Sequence, residues 1–195
     1  MSRRGISLEE ISEEYPIILI DTCALIGYYG YSKSDNANYD SIYNVYVDSA
    51  NFFKKYIDDG MEIYVTSSVF KEYSDGDSSS VYRKNLLHAI QSNSRILKLD
   101  EDERKLHNEM SRKYYVIKDK FGLGYTDYDF LISGGILSKV RKEPVALISN
   151  DMGIFHAWKF LLMKENLDLD GLRFIIRIGN ETFKKMKPPK NYKKI

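Results

Sequence analysis

The stretch Tyr15-Pro-Ile-Ile-Leu-Ile-Asp21-Thr-Cys-Ala-Leu-Ile26 constrains the fold more than any other part of the chain. Four consecutive aliphatic residues, Ile17 to Ile20, leave no polar face, so the segment reads as a strand buried on both sides. Such strands belong to parallel sheets covered by helices. This one runs straight into Asp21. A carboxylate there is costly unless it sits just past the strand end, in a crevice, with a partner. In open parallel sheets that crevice is where ligands bind.

The rest of the chain alternates in the same way. Helical spacing or a capping residue marks residues 7–14, 24–29, 41–57, 66–73, 81–91, 100–120, 126–141 and 151–165. Short apolar runs at 62–65, 95–99, 145–149 and 172–178 read as strands. Polar segments at 30–39 and 75–80 read as loops, the second a mobile one. Strand–helix alternation predicts a mostly parallel sheet of about five strands with helices on both faces, an α/β/α sandwich. Residues 1–183 are expected to form one domain, and 184–195 a basic, flexible tail. The single cysteine, Cys23, excludes an internal disulfide and a thiolate metal set. No run reaches the ~18 apolar residues of a membrane span. The N-terminus has no signal-type apolar core, so no membrane association and a reducing, cytoplasmic setting are expected. A formal net charge of +1 neither favours nor excludes a polyanionic partner.

Four acidic residues share a local grammar. Asp21 follows a strand directly. Asp151 lies just past the apolar part of another. Glu72 lies about a helical turn beyond a third, and Asp127 begins a helix. In a parallel sheet these positions share one edge, so the carboxylates can converge. Convergent carboxylates repel, and a divalent cation relieves this. Oxygen donors alone suit Mg²⁺ or Mn²⁺ rather than Zn²⁺. Each position also has a plain structural reading. An aspartate at a helix start is often only an N-cap. Thr126-Asp-Tyr-Asp129 has the form of a capping box, so Asp129 either ties down that helix or joins the metal set. Glu72 could be an ordinary solvated helix residue. His88, His107 and His156 lack ligand spacing, although His156 could approach the site from the helix after Asp151. Cys23 beside Asp21 is a poor nucleophile, because a neighbouring negative charge raises a thiol's pKa.

Taken in order, the segments resemble the motifs of PIN-domain ribonucleases. Ile18-Leu-Ile-Asp-Thr-Cys-Ala-Leu25 is similar to the opening motif, and Val65-Thr-Ser-Ser-Val-Phe-Lys-Glu72 to the second. Tyr125-Thr-Asp-Tyr-Asp-Phe-Leu-Ile-Ser-Gly134 is similar to the third, and Ala146-Leu-Ile-Ser-Asn-Asp151 to the fourth. The resemblance implies a PIN-like fold and a metal-dependent endoribonuclease acting on single-stranded RNA. It makes Asp21, Glu72, Asp127 and Asp151 catalytic metal ligands, with Asp129 a further candidate ligand. Their motif neighbours Thr22, Ser149 and Asn150 would position substrate. Cys23 stands where Asn is frequent, and Gly153 where a second acid is often found. The segment 30–39 is longer than in minimal members.

An acidic centre needs a basic rim to hold RNA. Lys33, Lys71, Arg83, Lys84, Arg112, Lys113, Lys118, Lys120 and the tail lysines are candidates. Tyr28, Tyr29, Tyr31, Tyr39 and Tyr43 could stack on unpaired bases, although Tyr43 and Tyr46 better suit the core side of a helix. An antitoxin, an RNA-processing protein or a second copy of the chain is the kind of protein partner left open. Two other functions stay open: a catalytically silent RNA- or protein-binding module, and a structure-specific DNA nuclease, for which no helical arch or DNA clamp is visible.

Overall fold

The computed structural model describes residues 5–27, 39–76, 79–165, 171–179 and 181–187. The chain begins with α1 (Leu8–Glu14), closed at its start by a reciprocal capping box between Ser7 and Glu10. It then enters β1 (Ile17–Ile20), whose four residues are all buried. Next come α2 (Thr22–Leu25), α3 (Tyr39–Asp58), β2 (Ile63–Tyr64), α4 (Ser67–Asp75) and α5 (Val81–Ser92). They are followed by α6 (Glu101–Lys113), α7 (Tyr115–Phe121), α8 (Tyr125–Val140), β3 (Val145–Ile148), α9 (Met152–Glu165), β4 (Leu172–Arg177) and β5 (Phe183–Lys185).

The five strands form one sheet in the order β2-β1-β3-β4-β5. The first four are parallel and β5 is antiparallel to β4. This is the mixed α/β architecture with a mostly parallel central sheet that the alternation predicts. From β1 the chain goes outward to β2, then returns to β1's other side as β3. The sheet therefore reverses direction between β1 and β3, which is the topological switch point where α/β sheets hold ligands. The register pairs Ile17 with Val145 and Ile20 with Ile148, so Asp21 and Ser149 emerge side by side at this edge.

The core lies on both faces of the sheet. Phe53 and Ile57 of α3, Leu86 and Ile90 of α5, Phe130 and Leu131 of α8, and Ile154 and Trp158 of α9 are buried with the strands. α8 packs closely because Gly134 faces Leu147 of β3: a Cβ there would stand 2.5 Å from Leu147 Cδ2.

Several elements differ from expectation. The helix after Asp21 stops at Leu25, and Gly27 follows with φ +69°, a turn open to glycine. Residues 95–99 form no ladder strand; Ile96 makes only an isolated parallel bridge to Val65 before the chain turns into α6. The long helix over 100–120 is two helices, divided at Tyr114 (φ −107°, ψ 14°). The tail boundary at 184 falls inside β5. Phe183 is fully buried, and it pairs with Arg177 on one side and Ile6 on the other. The loop over 30–38, Tyr28, Tyr29, Tyr31, Lys33, the side chains of Tyr39, Tyr43 and Tyr46, and the tail beyond Lys187 lie outside the described residues. So do residues 77–78 of the 75–80 loop. Among the described residues no helix is long and apolar enough to cross a membrane.

Candidate functional site

Asp21 is 2% exposed and caps α2, its Oδ1 accepting from the Thr22 N–H at 2.7 Å. Its Oδ2 accepts from Cys23 Sγ at 2.8 Å and from Ser149 Oγ at 2.9 Å. Burial, aided by the charge on Asp127, raises its pKa to about 6; the hydrogen bonds from Cys23, Ser149 and Thr22 act against the rise. The Cys23 thiol is also pushed up, first by burial and then by Asp21, which leaves it a poor nucleophile.

The other three acids arrive from separate elements. Glu72 lies on the exposed side of α4, where its Oε2 accepts from Thr22 Oγ1 at 2.6 Å. Thr66 starts that helix by accepting from the Val69 N–H at 3.3 Å. Asp127 lies in the first turn of α8 and its Oδ2 accepts from the Gly124 N–H at 2.8 Å. Asp151 starts α9, its Oδ1 accepting from the Ile154 N–H at 3.0 Å. Burial, then the charges of Asp151 and Glu72, raise the pKa of Asp127. Asp127 thus feels Asp151 and Glu72, and Asp21 feels Asp127. The four segments bring their carboxylates to one rim of the sheet.

Asp129 faces elsewhere. Helix α8 starts before Thr126, with Gly124 as N-cap, so the expected Thr126–Asp129 capping box does not form. Asp127 supplies the side-chain cap instead. Asp129 accepts from Ser68 Oγ and pairs with His107 Nε2 at 3.0 Å. Burial opposes its ionisation, but the hydrogen bonds from His107 and Ser68 outweigh this and hold its pKa below the usual carboxylate value. It braces α4 and α6 against α8.

The motif neighbours serve as supports. Ser149 Oγ donates to Asp21 and accepts from the Asp151 N–H at 3.0 Å, linking two of the acids. Asn150 exchanges hydrogen bonds with the backbone of Arg177, at 2.8 and 3.1 Å, extending the β3–β4 seam past its last ladder pair. Arg177 itself, 2% exposed, donates to the Ala24 carbonyl at 3.1 Å and to Ser49 Oγ at 2.7 Å. It thereby anchors the C-terminal end of α2. Neither Arg177 nor the Ser68–Asp129–His107 chain has a sequence signature. Gly153 shows why no second acid stands there: a Cβ would lie 2.8 Å from the Phe121 carbonyl and 2.9 Å from Asp151 Oδ1. His156 is exposed and its ring lies against Phe155. Of the cations expected to form a basic rim, Arg83 lies over the Tyr73 ring and Lys120 near the rings of Phe121 and Phe160.

The donor chemistry at this rim fits a hard divalent cation: carboxylate oxygens, mutual repulsion, and no ion pair to any of the four acids among the described residues. Glu72, Asp127 and Asp151 each engage one oxygen in the hydrogen bonds above and keep the other. The spacing is looser than the chemistry. Among the described residues no three His, Cys, Asp or Glu side chains converge tightly enough to hold an ion where they stand. No family model, no curated protein and no solved structure matches the chain.

Proposed function

We propose that the chain is a Mg²⁺- or Mn²⁺-dependent endoribonuclease acting on single-stranded RNA. The observation that carries this reading is the gathering of acids from four separate segments at the switch point, where burial first, and the charge of neighbouring acids second, raise the pKa of both Asp21 and Asp127. A fold keeps such a cluster at a cost in stability, and a bound cation is the simplest compensation. Asp21, Glu72, Asp127 and Asp151 would hold the ion. When bound, it supplies Lewis-acid stabilisation of phosphate charge and an activated water. The chain's own groups set the geometry: Thr22 orients Glu72, Ser149 couples Asp21 to Asp151, and Gly124 fixes Asp127. The substrate class and the PIN-like assignment rest on the motif resemblance.

Incubation of the protein with end-labelled single-stranded RNA tests this. Cleavage is expected with Mn²⁺ and not in EDTA, and is expected to disappear in Asp21→Asn. Equal cleavage in EDTA or in that variant refutes the metal mechanism.

One observation favours the silent-module reading. Both oxygens of Asp21 are already occupied by hydrogen bonds from Thr22, Cys23 and Ser149. If the acids serve structure alone, calorimetric titration with Mn²⁺ will show no binding step that Asp151→Asn abolishes.

A further inference from the structure

A hollow of about 460 Å³ lies against the first turns of α8, the helix that also carries Asp127. Its wall is built from α6, α7 and the start of α8, and its lining includes Arg112, Tyr115, Lys118, Tyr125 and Asp129. We propose that it binds an unpaired nucleotide of single-stranded RNA, with the base stacked on Tyr125 and Tyr115 and the phosphate held by Arg112 and Lys118.

Three observations carry this assignment. First, the two tyrosines are exposed where core packing gives no reason for it: Tyr125 is 72% and Tyr115 56% accessible. Both belong to a floor made rigid by Tyr128, which is buried, meets the Tyr115 ring edge-on, and donates to the Ser111 carbonyl at 2.7 Å. Exposed aromatic faces on a fixed base are what single-stranded bases stack on.

Second, the charge balance favours an anion. Arg112 is exposed and has no carboxylate partner among the described residues; Lys118 lies over the Tyr115 ring, 5.6 Å from its centroid. Asp129 is the one acid of the lining, and both of its oxygens are already engaged, one by His107 Nε2 at 3.0 Å and the other by Ser68 Oγ. A second hollow, of about 590 Å³, differs: Glu9, Asp59 and Glu62 line it against Lys55 alone, and it would repel a phosphate.

Third, the position suits a strand passing through the proposed active site. Asp127 and Tyr125 lie two residues apart in the first turn of α8, ~3 Å apart along its axis and on different sides of it. A strand that presents one phosphate to the acids and passes around the start of α8 can place a base further along in the hollow. Asn108 and Ser111, also in the lining, offer polar groups to a base edge. The identity of the ligand as RNA rests on the nuclease reading above; the hollow's preference for an unpaired, anionic, planar ligand rests on its own residues.

The experiment is fluorescence anisotropy of a 5′-fluorescein-labelled single-stranded oligoribonucleotide with the full chain in EDTA, where binding is read without cleavage. Tyr125→Ala and Tyr115→Ala are each expected to weaken binding about ten-fold, in line with the loss of one base–aromatic stack. Tyr125→Phe should bind as the parent does. Arg112→Ala should reduce the slope of log K against log salt by roughly 0.7, one phosphate contact on a single strand. Lys105→Ala, on the same helix but outside the hollow, should leave affinity unchanged. Parental affinity in both alanine variants overturns the proposal, as does equally tight, tyrosine-dependent binding of a duplex of the same sequence. The two readings separate cleanly. Tyrosine-dependent binding without Mn²⁺-dependent cleavage keeps the hollow and removes the nuclease. Asp21- and Mn²⁺-dependent cleavage with unaltered binding in the tyrosine variants does the reverse.

Discussion

Asp21→Asn removes a charge that the folded chain holds against burial, and its effect on stability can be worked out in advance. The carboxyl titrates at an ordinary value near 3.8 when unfolded and at about 6 in the fold. The folded state therefore binds its proton more tightly. Below the unfolded value the group is protonated in both states and carries no penalty. As pH rises through the folded value the fold must ionise a buried group, and stability falls. At ~1.36 kcal/mol per pH unit, the difference amounts to about 3 kcal/mol at pH 7. Asparagine keeps the shape and an acceptor oxygen for the Thr22 N–H, and the Ser149 hydroxyl can rotate to accept from the new amide. The variant should thus be more stable than the parent at pH 7 by about 1–3 kcal/mol, allowing for imperfect new hydrogen bonds. In a chain of this length that is a rise in Tm of roughly 2–10 °C.

Other carboxylates contribute their own pH dependence. Glu103 and Asp129, with lowered values, lose stability as pH falls. The informative quantity is therefore the difference between variant and parent, from urea unfolding at several pH values between 4 and 7.5. That difference should be near zero at pH 4 and grow through pH 6. A variant no more stable than the parent at pH 7, or a difference that shrinks as pH rises, would falsify the electrostatic account of the site.

Four further outcomes follow from the same structure. Millimolar Mn²⁺ should raise the Tm of the parent but not of Asp21→Asn, since a ligand stabilises only the state that binds it; thermal scans with and without metal decide this. Gly153→Asp should not supply an extra ligand: its Cβ collides with the Phe121 carbonyl and crowds Asp151, so both Mn²⁺ affinity and stability should fall, the latter by about 1–3 kcal/mol in urea melts. Gly134→Ala should cost a similar ~1–3 kcal/mol, because the new methyl meets Leu147 and lifts α8 from β3. Arg141→Ala deprives the 1%-exposed Glu103 of the two hydrogen bonds from the guanidinium, of 2.7 and 3.1 Å, leaving the one from the Asp100 N–H, and should cost roughly 2–3 kcal/mol at pH 7, less as pH falls below 4.5 and Glu103 protonates; denaturation curves at pH 7 and pH 4 test both parts.

The sequence alone determined what depends on near neighbours along the chain. An unbroken aliphatic run must be covered on both faces, so Ile17–Ile20 and Val145–Ile148 could only be interior strands, and the acids placed just after them could only lie at a strand-end rim. Capping residues such as Ser7, Thr66 and Asp100 start their helices for reasons contained within a turn. Other features come from contacts between distant segments. The pattern Met110, Tyr114, Ile117 continues unbroken across the division between α6 and α7, so nothing local marks it. β5 is three residues whose strand pairing comes from Arg177 and Ile6, far apart in sequence. Asp127 and Asp129 are two acids of nearly identical local setting. Which of them faces the rim was decided by where α8 begins and by Ser68 and His107, which capture the other. Arg177 and the tyrosine-lined hollow have the same origin: a side chain's partners across the fold, and not its neighbours in the chain, fix what it can do.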